Sequence, residues 1–128
     1  MTIKKEEVEK YLSEVKSCVR AGRYEIHLNQ NRKDNIDFFT TYIVDEVWAK
    51  EIILSLEAED FSNAVPNRKA GYEHETLYIF GKDVELIERF GNDVKTVSLY
   101  IKFNKIENSY VIVVSFHEQK RRLSYYFR

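Results

Sequence analysis

Ser98-Leu99-Tyr100-Ile101-Lys102-Phe103 and Val111-Ile112-Val113-Val114-Ser115-Phe116-His117-Glu118 carry the clearest structural pattern in this chain. Both runs alternate, which is the period of a strand. Asn104 to Ser109 lies between them and is short enough for a hairpin. The tight turn is placed at Glu107-Asn108, because asparagine tolerates a left-handed backbone. Leu99, Ile101 and Phe103 then face Phe116, Val114 and Ile112, and that side needs a core. The other side carries Ser98, Tyr100, Lys102, Ser115 and His117. In this register Tyr100 lies opposite Ser115, with His117 as a diagonal neighbour roughly 7 Å away. A proton-transfer group, a phenol and a cation thus project from one face. A slip of one residue would set Tyr100 against Val114 and spoil both faces.

The rest of the chain reads as helices first and strands last. Val8, Tyr11, Leu12, Val15 and Val19 recur at helical spacing, and Gly22 is a C-terminal stop. Tyr24 to Leu28 reads as a short strand, with the direction of Ile26 open. Asn29 to Asn35 is a loop or helix start, and Ile36 to Val44 is a short helix. Asp45 caps a helix running through Val47, Trp48, Glu51, Ile52 and Leu54. Asn63 to Glu73 holds Pro66 and Gly71 and reads as a loop. Glu75 to Phe80 is a strand. Gly81 to Thr96 is ambiguous, with Gly91-Asn92 as its turn signal. Leu123 to Phe127 is a terminal strand or a packed tail. The order implies an α+β fold, with N-terminal helices packed on one face of a C-terminal antiparallel sheet.

Composition sets the bounds. At 128 residues, 44% hydrophobic and 14% aromatic, a single domain over 1–128 with one core is expected. Charged residues at 32% point to a soluble chain. The one cysteine, Cys18, has no disulfide partner within the chain, fits a reducing cytosol and sits in a helical pattern as a packing residue. The run Met1-Thr2-Ile3-Lys4-Lys5-Glu6-Glu7 is too charged for a signal peptide, and no apolar run reaches the ~18 residues of a membrane span. The compartment expected is therefore cytoplasmic. The net charge of −1 excludes a strongly basic protein. Positive charge is instead clustered at Arg20 and Arg23, Arg32 and Lys33, Arg68 and Lys69, and Lys120-Arg121-Arg122. Such clusters serve as solvated surface or as local phosphate contacts. No Cys-x-x-Cys, His-Glu-x-x-His or glycine-rich phosphate loop is present, which argues against a zinc site, a P-loop or a dinucleotide fold; no metal and no cofactor is expected. His27 and His74 read as surface residues and Trp48 as core.

The order Tyr-x-Lys, hairpin, Val-Ile-x-x-Ser-Phe-His-Glu resembles the MqsR-type toxins of the RelE-like ribonuclease superfamily. Leu12-Ser13-Glu14-Val15-Lys16 with Arg20-Ala21-Gly22-Arg23 resembles that family's first helix and its exit. Ile53-Leu54-Ser55-Leu56 with Asp60-Phe61 resembles the end of its last helix, and Leu77-Tyr78-Ile79-Phe80-Gly81-Lys82 its first long strand. The resemblance implies a RelE-like fold, a metal-independent endoribonuclease (mRNA interferase), an RNA substrate and a neutralising antitoxin protein. No membrane is implied, and no DNA bound by the chain itself. It places Tyr100 at the family's tyrosine, and His117 where members carry lysine or histidine. Asn63 departs from the pattern, since some members carry a lysine there. Arg68 or Lys69 would have to substitute for it.

The chemistry can be argued from residue types. RNA cleavage without metal uses the neighbouring 2′-hydroxyl as nucleophile, with a base, an acid and cations around the phosphoryl oxygens. His117 suits either proton-transfer role, because an imidazole ordinarily titrates near ~6.5. Lys102 and Lys82 suit phosphate charge, and Tyr100 can donate to the phosphate or stack on a base. The catalytic set expected is His117, Tyr100, Lys102 and Lys82. The RNA-binding set is Arg68, Lys69, Arg121 and Arg122. The alternative is a non-catalytic protein-interaction module on the same fold.

Overall fold

Val8, Tyr11, Leu12, Val15, Cys18 and Val19 form the buried stripe of α1 (Lys5–Arg20) in the computed structural model, which describes residues 2–128. Gly22 ends the helix at φ 77°, and the Arg23 amide reaches back to the Cys18 carbonyl at 2.9 Å. A residue without Cβ takes that left-handed backbone at no steric cost. The chain then enters β1 (Tyr24–Ile26), with Ile26 turned inward. Helix α2 covers Lys33–Thr41, starting and stopping three residues before the stretch read from sequence. Asp45 caps α3 (Glu46–Ser55) by accepting the Trp48 amide at 2.8 Å. Trp48 packs on Phe38 and Phe116. A 3₁₀ turn, Ala58–Asp60, leads into the sheet.

Four longer strands follow: β2 (Phe61–Pro66), β3 (Thr76–Ile87), β4 (Val94–Ile106) and β5 (Tyr110–Glu118). The sheet order is β1-β5-β4-β3-β2, and β1 runs parallel to β5. The sheet is therefore mixed, where the sequence suggested a wholly antiparallel one. A three-residue strand carries no orientation signal, and its direction follows from where α1 releases the chain. Two segment readings also change. Phe61–Pro66 is an edge strand on β3, and Pro66 at its end needs no amide donor. Gly81 to Thr96 is the far half of the β3–β4 hairpin, closed by a turn with Gly91 at φ 112° and Asn92 at φ 63°.

One face of the sheet meets the helices. Phe80, Leu99, Ile101, Phe103, Val113 and Phe116 join the helical stripes in one connected core. The opposite face carries Ile79, Ser98, Tyr100, Lys102, Ser115 and His117, as the cross-strand pairs require.

The hairpin that decides the fold differs from its sequence reading in register. Its turn spans Glu107–Ser109, and Glu107 rather than Asn108 takes positive φ, at 50°. Near the turn Phe103 pairs with Val113 and Asn104 with Ile112; beyond it Lys102 pairs with Ser115 and Tyr100 with His117. Val114 is the extra residue of a β-bulge between the two registers. Ile112 and Val114, expected in the core, therefore lie away from it, and Val111 and Val113 take their place. The bulge resolves a conflict in the chain. Val111 and Val113 are two apart, Val113 and Phe116 three apart, and all three must face inward. Without the inserted residue, Phe116 would swing outward and His117 inward.

Asn35 pins this bulge. It is 1% exposed. Its Nδ2 donates to the carbonyls of His27 (2.8 Å) and Val114 (3.1 Å), and its Oδ1 accepts the Phe116 amide at 2.9 Å.

Residues after β5 form a packed tail rather than a strand. The Gln119 amide donates to Ser98 O, and the Tyr126 amide to Phe61 O. Between them the tail crosses Gly81, where any Cβ would run into the Tyr125 hydroxyl and the side chains of Gln119 and Leu123. Among the described residues no helix is long and apolar enough to cross a membrane.

Candidate active site on the free sheet face

Tyr100 and His117 are directly opposed on β4 and β5, with ring centroids 5.2 Å apart and planes within 12°. His117 Nδ1 lies 2.8 Å from the Glu118 carbonyl. A carbonyl oxygen only accepts, so Nδ1 carries the proton and Nε2 of the neutral ring is left as an acceptor. Lys102 follows on the same face, its Nζ 6.0 Å from the Tyr100 ring centre. It takes part in none of the ion pairs among the described residues. Burial, and then the Arg32 guanidinium, hold its ammonium below the usual lysine range. Burial alone pushes the Tyr100 phenol up, so it stays protonated and can donate.

From Lys102 toward the β4–β5 turn, the face sinks into a cleft of about 550 Å³. Its floor is Leu77, Asn104, Ile112 and Val114. The loop after β2 supplies Arg68, Lys69 and Tyr72 on one side, and the segment after β1 supplies His27 and Arg32 on the other. Sequence reading placed Arg68, Lys69 and Lys102 as phosphate contacts, and the fold brings these three to one cavity. It took Arg32 only as part of a charge cluster, and gave His27 to the surface. Neither carries a local signal, because each reaches the cleft through the packing of its segment against β5.

The remaining expected residues lie elsewhere. Lys82 pairs with Leu99, so it projects on the helix-bearing face, where Nζ lies 3.8 Å from the buried Asp60 carboxylate. Grouping it with Tyr100 was out of phase by one residue of a period-two strand. Arg122 lies with Asp83, Ser98 and Tyr125 at the far end of the free face, past the crossing tail, and Arg121 is exposed on that tail. Asn63 is exposed on β2. Among the described residues no three His, Cys, Asp or Glu side chains gather as metal ligands.

Comparison with protein-family models, with curated proteins and with solved structures finds no match. The class that the geometry defines is an α+β domain with helices on one side of a mixed five-stranded sheet. Its free face carries a stacked Tyr–His pair beside a half-buried lysine and a cation-rimmed cleft.

Proposed function

We propose that this chain is a metal-independent endoribonuclease that cleaves single-stranded RNA, with a RelE-like fold of the MqsR type, held in check by a cognate antitoxin protein that binds it. The observation that carries the proposal is the Tyr100–His117 stack with Lys102 beside it on one rigid face. In this reading His117 Nε2 takes the proton from the ribose 2′-hydroxyl. The 2′-oxygen attacks phosphorus, and the bond to the 5′-oxygen breaks. Lys102, whose ammonium gives up its proton more readily than an ordinary lysine, protonates the departing oxygen. Tyr100 donates a hydrogen bond to a phosphoryl oxygen, and Arg32, Arg68 and Lys69 hold the neighbouring phosphates. The products are a 2′,3′-cyclic phosphate and a 5′-hydroxyl. The motifs quoted above and the helices confined to one face support the RelE-like reading.

Incubation with a single-stranded RNA pool in EDTA tests the proposal. Cyclic-phosphate ends are expected. Activity that vanishes on chelation and returns with a divalent metal would remove the mechanism.

A second reading, a non-catalytic interaction module, draws on one observation. Ile43, Ile87, Phe90 and Val94 are exposed at and near the tip of the β3–β4 hairpin, and the Ile43 amide bonds to Ile87 O. An RNA pool left intact with and without ribosomes would favour this module.

A further inference from the structure

The cleft beside Lys102 has a polar wall of unusual sign. Its rim is cationic, yet the groups lower on that wall accept hydrogen bonds. Glu75 Oε1 accepts from Asn104 Nδ2 and from Asn67 Nδ2, each at 3.0 Å. Those two amides hold the Glu75 carboxyl below its usual range, so it is an acceptor-only group at neutral pH. Its second oxygen has no hydrogen-bond partner among the described residues. The carboxylate also fixes the Asn104 amide. Nδ2 must face Glu75, which leaves Oδ1 buried and without a partner among the described residues, in a side chain only 7% exposed. Tyr72 stands exposed on the rim, with Lys69 Nζ 5.0 Å from its ring centre.

We propose that this cleft is a base-recognition subsite that takes guanine, with Glu75 reading the base edge, Tyr72 stacking on its face, and Arg32, Arg68 and Lys69 holding the attached phosphate. Guanine alone among the four RNA bases presents two adjacent donors, N1–H and the N2 amine, on its pairing edge. Adenine and cytosine each set one amine beside a ring acceptor, and uracil flanks its single N–H with two carbonyls. The free Glu75 oxygen, with both lone pairs open, can accept from both guanine donors, and it meets each of the other three bases with at least one repulsion. Aromatic stacking and cationic contacts add affinity without discriminating. The inference rests on the RNA reading above for its substrate, but it is measured by binding alone.

The test is titration of the full chain with GMP, AMP, CMP and UMP, followed by NMR shifts of the amides lining the cleft. GMP is expected to bind at least about tenfold tighter than the other three. Glu75→Gln replaces an acceptor by a donor and should abolish the preference. Tyr72→Ala, at an exposed position that spares the fold, should weaken all four nucleotides alike. Equal affinities for the four, or no binding of any in the millimolar range, would overturn the assignment even if Glu75→Gln fails to fold. So would a guanine preference that survives in a folded Glu75→Gln protein. A protein that prefers GMP but cuts no RNA would keep the subsite and lose the ribonuclease reading. One that cuts RNA but binds the four nucleotides equally would do the reverse.

Discussion

Replacing Asn35 by alanine should loosen the bulge on which the candidate site depends. The side chain makes three hydrogen bonds in a fully buried position, two of them to the β5 bulge itself. Alanine leaves the Phe116 amide and the Val114 carbonyl without this partner, and a buried group so orphaned costs about 1–3 kcal/mol. Two such groups give a loss of about 3 kcal/mol. For a domain of this size that lowers Tm by about 10 °C. The bulge itself should persist, because removing it would turn Phe116 outward, and burying a phenylalanine side chain is worth about 1.5–3 kcal/mol. The expected result is therefore a destabilised protein whose Phe116 amide exchanges faster with solvent and whose Tyr100–His117 contact is weakened. Asn35→Asp keeps the shape but sets a negative oxygen against two carbonyls, so at neutral pH it should be no better than alanine. Thermal melts and native-state hydrogen exchange measure these effects. A loss below about 1 kcal/mol, with Phe116 still protected, would mean that the strand pairing holds the bulge without help and that Asn35 does not position His117.

Three further outcomes are expected. His117→Ala should lower the RNA cleavage rate by about 10²-fold or more with little change in Tm, since the residue is half-buried and outside the core; an unchanged rate would show that another group moves the proton. Gly81→Ala should cost about 1–3 kcal/mol by pushing the tail off the sheet, read as a lower Tm and faster trypsin cleavage after Arg121 and Arg122; a tail as resistant as the wild type would contradict the packing. Tyr42 is pushed up to about 12, first by burial and then by its hydrogen bond to Glu118. An unfolded tyrosine titrates near ~10. Its contribution to stability is thus whole below that pH and is lost as pH climbs toward about 12. Tyr42→Phe should flatten that part of an alkaline unfolding curve, and a superimposable curve would refute the assignment.

Much of the architecture was legible because it depends on short-range pattern. The α1 stripe repeats every three to four residues, and Asp45 sits where a cap must sit, ahead of an apolar run. Tyr100 and Lys102 were placed on the free face correctly, because Leu99, Ile101 and Phe103, which alternate with them, can only face a core. The same rule misplaced Ile112 and Val114. Val111 to Val114 is unbroken apolar sequence and has no readable phase, so the bulge stayed invisible. Its position is set by Phe116 seeking the core and by Asn35, some eighty residues earlier, offering it a partner. Lys82 failed for a related reason. Its strand is apolar on both faces around Leu77 to Phe80, and only the pairing with Leu99 shows which way it points. The cleft lay furthest from the sequence. Arg32, Arg68, Glu75 and the β4 pair Lys102 and Asn104 come from four separate places in the chain, and no place signals the others locally. Hydrophobic periodicity is a property of neighbours and can be read along the chain. A binding surface is a property of strand order and register, which the chain settles only when distant segments compete for one core.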